Sequence, residues 1–163
     1  MRLRFRRLVN QHQHRLFTLA AHILGNGGEA EEIVQEAFIK LWNNMDRIDK
    51  HKVSAWLAQV TRNACLDLLR RRKHQLAFAM AAGAEHNQDS VPTPGDMLDS
   101  HLALDELGQA IHSLDEPYRS IVVLREMQDM SYQEICEALE LSLSQVKVYL
   151  HRARRRLREI LTA

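Results

Sequence analysis

Between Ser131 and Arg158 the side chains equipped for chemistry are cations: Lys147, Arg152, Arg154, Arg155, Arg156 and Arg158, with no acid between Lys147 and Glu159. Guanidinium and ammonium groups at that density pair with phosphate and release the counterions condensed on DNA. A charge run alone is most often a solvated helix face. Here the apolar spacing argues for more. Ile135, Leu139, Leu141, Val146, Tyr149 and Leu150 fall where a short helix, a tight turn and a second helix would pack at a steep angle. Small Cys136 sits where the two helices approach. Ser142 and Gln145 read as a capping box that opens the second helix. The apolar line runs on from Leu143 through Ala153, Leu157 and Ile160, leaving the cations the remaining surface. The pattern predicts a DNA-binding helix-turn-helix.

Other chemistries find no footing. There is no Gly-x-Ser-x-Gly, no phosphate loop and no His-Glu-x-x-His, and the carboxylates fall at helix ends and on exposed faces. The nine His include no pair at i, i+4, and Cys65 and Cys136 are far apart on helical patterns. Free thiols, no metal, no cofactor and no enzyme activity are expected.

The charge is unevenly laid out along the chain. Up to Lys73 there are fourteen Lys and Arg against seven acids; from His74 to Glu106, none against six; from Leu107, eight against eight. A net charge of +1 therefore conceals a basic block, an acidic middle and a C-terminal piece whose own charges separate. The start, Met1 to Val9, has the basic character of an export signal, but polar Asn10 to Arg15 replace the apolar core one needs. No run is long enough to span a membrane, so a cytoplasmic protein is expected.

Phe5, Leu8, Leu16, Leu19, Ala20, Ile23 and Leu24 recur at helical spacing, and Gly25 stops that helix. Glu29, Glu31 and Glu32 suit the first turn of a second helix, whose buried stripe is Ile33, Val34, Ala37, Phe38, Leu41 and Trp42. Its opposite face carries Glu32, Gln35, Glu36, Ile39 and Asn43. That face fits either a partner or plain solvent. After a polar loop, Ser54 is expected to cap a third helix with Trp56, Leu57, Val60, Ala64 and Leu68 inward, ending in Arg70 to Lys73. The terminal cations favour the helix dipole and equally suit phosphate. Arg62, Asn63 and Asp67 beside Trp56 offer hydrogen bonds next to an aromatic, which suits unpaired bases.

Pro92, Pro94 and Gly95 interrupt a cation-free stretch, which reads as a flexible acidic linker. Helical period returns with Leu104, Leu107, Ile111 and Leu114, and Pro117 opens a further helix. The expectation is an all-α protein of two small helical domains, 1–75 and 102–163, joined by a linker at 76–101, the second domain holding the helix-turn-helix.

The segments QEAFIKLW (Gln35 to Trp42), AWLAQVTRNACLDLLRRR (Ala55 to Arg72) and the block Leu114 to Leu157 resemble, in order and spacing, the two conserved domains of bacterial extracytoplasmic-function sigma factors of the sigma-70 family. The resemblance implies a factor that binds core RNA polymerase and directs promoter-specific initiation. It would put Glu32, Gln35, Glu36, Ile39 and Asn43 on the clamp helices of the largest polymerase subunit. The loop Asp46 to Ser54 matches one that pockets a base flipped from the minus-ten element, with Asn63 beside it; Lys50, Lys52, Arg62, Asp67 and Arg70 would join that contact. Ser144, Gln145, Lys147, Val148, His151, Arg152 and Arg155 would meet the minus-thirty-five element in the major groove. An anti-sigma partner is implied as well. A conventional helix-turn-helix regulator is the alternative reading.

Three departures stand out. Glu140 occupies the turn position where the family usually has Gly, at a cost of roughly 1 kcal/mol if the backbone is left-handed there. Lys147-Val148-Tyr149-Leu150 replaces the family's frequent Lys-Ser-Arg-Leu, trading a cation for an apolar group that could meet a thymine methyl. Val53 stands before Ala-Trp-Leu where the family usually has Phe.

Overall fold

The computed structural model describes residues 1–83 and 105–163, all of whose regular structure is helical. The expected linker lies outside the described residues from 84 onward, as do Leu102 and Leu104. In the N-terminal unit, α1 (Arg2–Leu24) ends as its composition requires: Gly25 is left-handed at φ 68° and its N–H bonds to the Ala21 carbonyl. Helix α2 (Gly27–Asn44) starts at Asn26, whose side chain accepts from the Glu29 N–H at 3.1 Å. Leu19, Ile23, Leu41 and Leu57 are fully enclosed where α1, α2 and α3 meet. Trp42, expected in the buried stripe, is 38% exposed and rests edge-on against Phe5, ring centroids 5.0 Å apart.

Helix α3 (Val53–Ala81) begins at Lys52 without a side-chain cap, so Ser54 lies inside its first turn. It also continues beyond the cations expected to end it. Residues Gln75 to Ala81 are Ala, Leu, Phe, Met and Gln, mostly strong helix formers, and the left-handed Gly comes only at Gly83. Residues 76–81, expected as the start of a linker, are therefore helical. Arg72 pairs with Glu29 and ties α3 to the first turn of α2.

In the C-terminal unit, α4 (Glu106–Ser113) is capped by Asp105, whose side chain accepts from the Gly108 N–H at 2.8 Å. Helix α5 (Tyr118–Val122) passes into a π-type turn over Val123–Met127, closed by the Gln128 N–H on the Val123 carbonyl at 3.1 Å. Helices α6 (Tyr132–Leu139) and α7 (Leu143–Thr162) follow. Each opens with a complete capping box, Ser131 with Glu134 and Ser142 with Gln145. Between them Glu140 is left-handed at φ 55° and ψ 44°, so the helix-turn-helix turn has the geometry that favours Gly despite a side chain. Ile121, Leu124, Ile135, Val146 and Leu150 form the core of this unit. Leu107, Leu143 and Ile160, expected on its apolar line, are exposed instead. The buried side chains of the two units form one continuous apolar cluster.

Candidate DNA and polymerase interfaces

The exposed surface of α7 begins at its cap. Ser142 Oγ accepts from the Gln145 N–H at 3.1 Å, and Gln145 Oε1 accepts from the Ser142 N–H at 2.9 Å. Half of the Gln145 amide is thus spent on the cap. With Val146, Leu150 and Ala153 buried, the helical period turns Ser144, Val148, His151 and Arg155 outward as one stripe. Lys147 and Arg152 are exposed too, but five positions apart they flank that stripe on opposite sides. Arg152 leans over the Tyr149 ring at 6.0 Å and lines a cleft of about 310 Å³ with Asp115, Tyr118, Arg155 and Arg156. Arg154 pairs with Glu126 at 2.5 Å and Arg155 with Glu159 at 3.4 Å. Lys147, Arg152, Arg156 and Arg158 make no ion pair among the described residues. A convex helix with free cations on both flanks fits a duplex groove, where phosphates line both walls.

On α2 the burial of Ile33, Val34, Ala37, Phe38 and Leu41 leaves Glu32, Gln35, Glu36, Ile39 and Asn43 exposed together. Ile39 is 62% exposed at the centre of this acidic and amide face. Beside it runs an apolar groove of about 830 Å³ between α1 and α2, lined by Phe5, Val9, Phe17, Val34, Phe38 and Ile39. Sequence reasoning missed the α1 side of this groove. Its signal was present in Val9 and Phe17, which flank the Phe5–Leu16 stripe on one side.

The residues expected around the minus-ten element divide between two clefts. Arg47, Asp49, Lys52 and half-buried Trp56 line one of about 360 Å³ at the loop. Asn63 lines another of about 260 Å³ with Glu36, Lys40, Asp67 and Arg71. Trp56 to Asn63 is seven residues, about 10 Å of helix rise, so Asn63 stands two turns along α3 from the loop. Trp56, Val60, Asn63, Asp67 and Arg71 nonetheless follow one α3 face, and the clefts lie in series beside α2. Lys50 is exposed on the loop, and Arg70 is exposed and 3.3 Å from Asp67. Arg71 belongs to the terminal cation block expected to suit phosphate, whereas Lys40 carries no such signal in the sequence; only the fold brings α2 and α3 together there.

Arg62 departs from expectation. Its guanidinium, expected free beside Asn63, faces the C-terminal unit: Nη2 is 3.3 Å from Glu116 Oε2 and Nε donates to Ser120 Oγ at 3.0 Å. Cys65, one turn on, is fully buried, and burial followed by the nearby Glu116 carboxylate pushes its thiol up to about 12. It stays protonated and unreactive at neutral pH. Among the described residues no three His, Cys, Asp or Glu group as metal ligands, and no helix is long and apolar enough to cross a membrane.

Comparison with known proteins accords with this layout. Residues 8–75 match the family model described as Sigma-70 region 2, and residues 104–157 that described as Sigma-70, region 4. The chain is 34% identical over 155 residues to the ECF RNA polymerase sigma factor SigE of Mycolicibacterium smegmatis, covering 94% of this chain and 60% of that protein. It is 34% identical over 164 residues to the ECF RNA polymerase sigma factor SigW of Bacillus subtilis, covering 95% and 87%. The fold is shared with the sigma factor RpoE of Bartonella quintana, solved with the anti-sigma factor NepR (TM-score 0.75, 21% identity, 98% of this chain and 97% of that one). It is also shared with CnrH, solved with the cytosolic domain of CnrY (TM-score 0.71, 24% identity, 99% and 90%). With both regions matched in order and a relative of this identity covered over most of its length, the chain belongs to the extracytoplasmic-function group of the sigma-70 family of RNA polymerase sigma factors.

Proposed function

We propose that the chain binds core RNA polymerase and directs it to promoters, acting by binding and positioning in the cytoplasm, with no catalytic step of its own. The observation that carries this reading is the presence in one chain of an exposed acidic and apolar face on α2 and a capped, cation-flanked recognition helix α7. A conventional regulator needs only the second.

The Glu32, Gln35, Glu36, Ile39 and Asn43 face docks on the clamp helices of the largest polymerase subunit. Ser144, Val148 and His151 meet base edges of the minus-thirty-five element, Lys147 and Arg152 hold its two walls, and Gln145 and Arg155 add polar contacts at the ends of the stripe. The serial clefts along α2 and α3 receive unpaired minus-ten bases, with Lys50, Lys52 and Arg70 on the strand's phosphates and Asn63 and Asp67 on base edges; Arg62, held by Glu116 and Ser120, is not part of that set. An anti-sigma protein is the expected negative partner.

The division of labour is tested with Asn63→Ala in holoenzyme. Permanganate reactivity of minus-ten thymines should fall, while the gel-shift titration of a minus-thirty-five duplex is unchanged. Full reactivity with the Asn63 variant would remove the support for an unpaired base at that cleft.

A further inference from the structure

We propose that α3 carries the promoter strand beyond the two minus-ten clefts: Phe78, near its end, is a stacking platform for one further unpaired base, with Arg71 and His74 on the intervening backbone. The proposal rests on the assignment of α3 to minus-ten DNA and lengthens that site.

Helix α3 outruns its support. From Lys73 to Gly83 every residue is exposed except Ala79, and none joins the buried cluster or packs against it. Arg72, on Glu29, is the last α3 side chain held by an ion pair. The turns beyond it stay helical because Gln75, Leu76, Ala77, Ala79, Met80 and Ala81 are strong helix formers. A protruding helix end of this length is marginal without packing, so a partner that covers it stabilises it.

Two apolar lines reach this end, and they differ in origin. Leu76 and Met80 prolong the inward stripe of Cys65 and Leu69 past the limit of the core. Phe78 does not. At the helical period it falls on the outward face of Asn63, Asp67 and Arg71, continued through His74, and it is 78% exposed. A ring on the polar face is no remnant of core packing. Arg71 to Phe78 is seven residues, about 10 Å of rise, so the ring stands next in series after the cleft that Asn63, Asp67 and Arg71 line. This face therefore runs from half-buried Trp56 to Phe78 with polar and cationic groups between them.

Charge selects the occupant. After Asp67, α3 holds Arg70, Arg71, Arg72 and Lys73 and no acid, and Arg71 and Lys73 make no ion pair among the described residues. The α2 face assigned to polymerase has the opposite sign, with Glu32 and Glu36. A cationic face ending in an exposed ring suits a partner that offers phosphate and a flat apolar surface together. An unpaired strand offers both, whereas a duplex keeps its base faces in its own stack.

The test uses holoenzyme and single-stranded minus-ten oligonucleotides, bare or lengthened by a few nucleotides at either end, with 2-aminopurine among the added bases. One lengthened probe should bind the parent more tightly than the bare probe, with its 2-aminopurine fluorescence quenched. Phe78→Ala should weaken that probe about 5- to 150-fold, the range of one base–aromatic stack, and abolish the quenching. Its binding of the bare probe and of core polymerase should not change, nor should its helical circular dichroism, since the site is exposed and Ala is a strong helix former. Phe78→Trp should keep the gain and Phe78→Leu should lose it, because a stack needs a ring. Equal binding of the lengthened probe by parent and Phe78→Ala, or a Phe78→Leu chain as good as Phe78→Trp, overturns the proposal. A Phe78→Ala defect confined to core polymerase binding or to duplex probes overturns it as well. Asn63→Ala on the bare probe separates the two levels. A loss there beside an unaffected Phe78→Ala chain sinks the extension alone; no loss with either variant sinks the α3 assignment together with it.

Discussion

Ile39 and Phe38 are adjacent in sequence and opposite in role, and replacing each by Ala tests the α2 assignment. Fully burying an Ile side chain is worth about 1.5–3 kcal/mol. Ile39 is still 62% exposed in the free chain, so about 1–2 kcal/mol remains to be gained on docking. Ile39→Ala should therefore weaken core polymerase binding about 5- to 30-fold. Its effect on the free chain's stability should stay within about 0.5 kcal/mol, as for an ordinary surface change. Phe38, at 7% exposure, packs edge-on to Phe5 at 6.4 Å, and Phe38→Ala should cost about 3–5 kcal/mol of stability. Fluorescence titration with core polymerase gives the first quantity and urea unfolding the second. An unchanged dissociation constant for Ile39→Ala, or a loss of stability comparable to that of Phe38→Ala, refutes the assignment of faces.

The remaining expectations concern α7, acid and thiols. Lys147→Ala or Arg152→Ala, on the groove walls, should weaken all minus-thirty-five sequences about alike, whereas His151→Ala, on the central stripe, should cost on the order of 1–3 kcal/mol at a preferred sequence and relax preference there, read by competition gel shifts. Arg158→Ala should weaken all sequences alike and lower the salt slope by about one. His12 and His22 are held below the ordinary value of 6.5, chiefly by burial, so the unfolded chain takes up the proton first. Their contribution to stability is full above pH 6.5 and is lost as pH falls below it, so the urea midpoint should drop on acidification. His22→Gln should flatten that drop; an unaltered profile would contradict burial as its source. Iodoacetamide at pH 8 should modify half-buried Cys136 before Cys65, as mass spectrometry will show, and equal rates would contradict the enclosure of Cys65.

Local chemistry was legible in the sequence where a few neighbouring residues determine it. Gly25 stops α1, Ser142 and Gln145 open α7, and the α2 face from Glu32 to Asn43 is exposed as its period requires. Asn26 and the Ser131–Glu134 box, which open α2 and α6, carry equally local signals. Misplacements came where competing local preferences had to be weighed. The arginine block looked like a helix end, yet the Ala-rich residues after it extend α3 to Ala81. Ser54 looked like a cap, yet the helix had already begun at Val53. Trp42 sits at the edge of a helix pair, where a large ring is shared between core and solvent. Nothing local foretold the partner of Arg62, since Glu116 lies 54 residues away and meets it only through packing of α3 against the C-terminal helices. The minus-ten residues were selected together but occupy two clefts, because α2 and the loop, more than sequence proximity, shape the walls.

The central claim, that this chain confers promoter selectivity on polymerase, is tested most directly by run-off transcription with purified core enzyme and genomic fragments, with and without the chain. The account predicts discrete transcripts that appear only when the chain is added, arise from sites sharing minus-thirty-five and minus-ten elements, and are lost with Gln35→Ala combined with Glu36→Arg. Identical transcript patterns with and without the chain would contradict it.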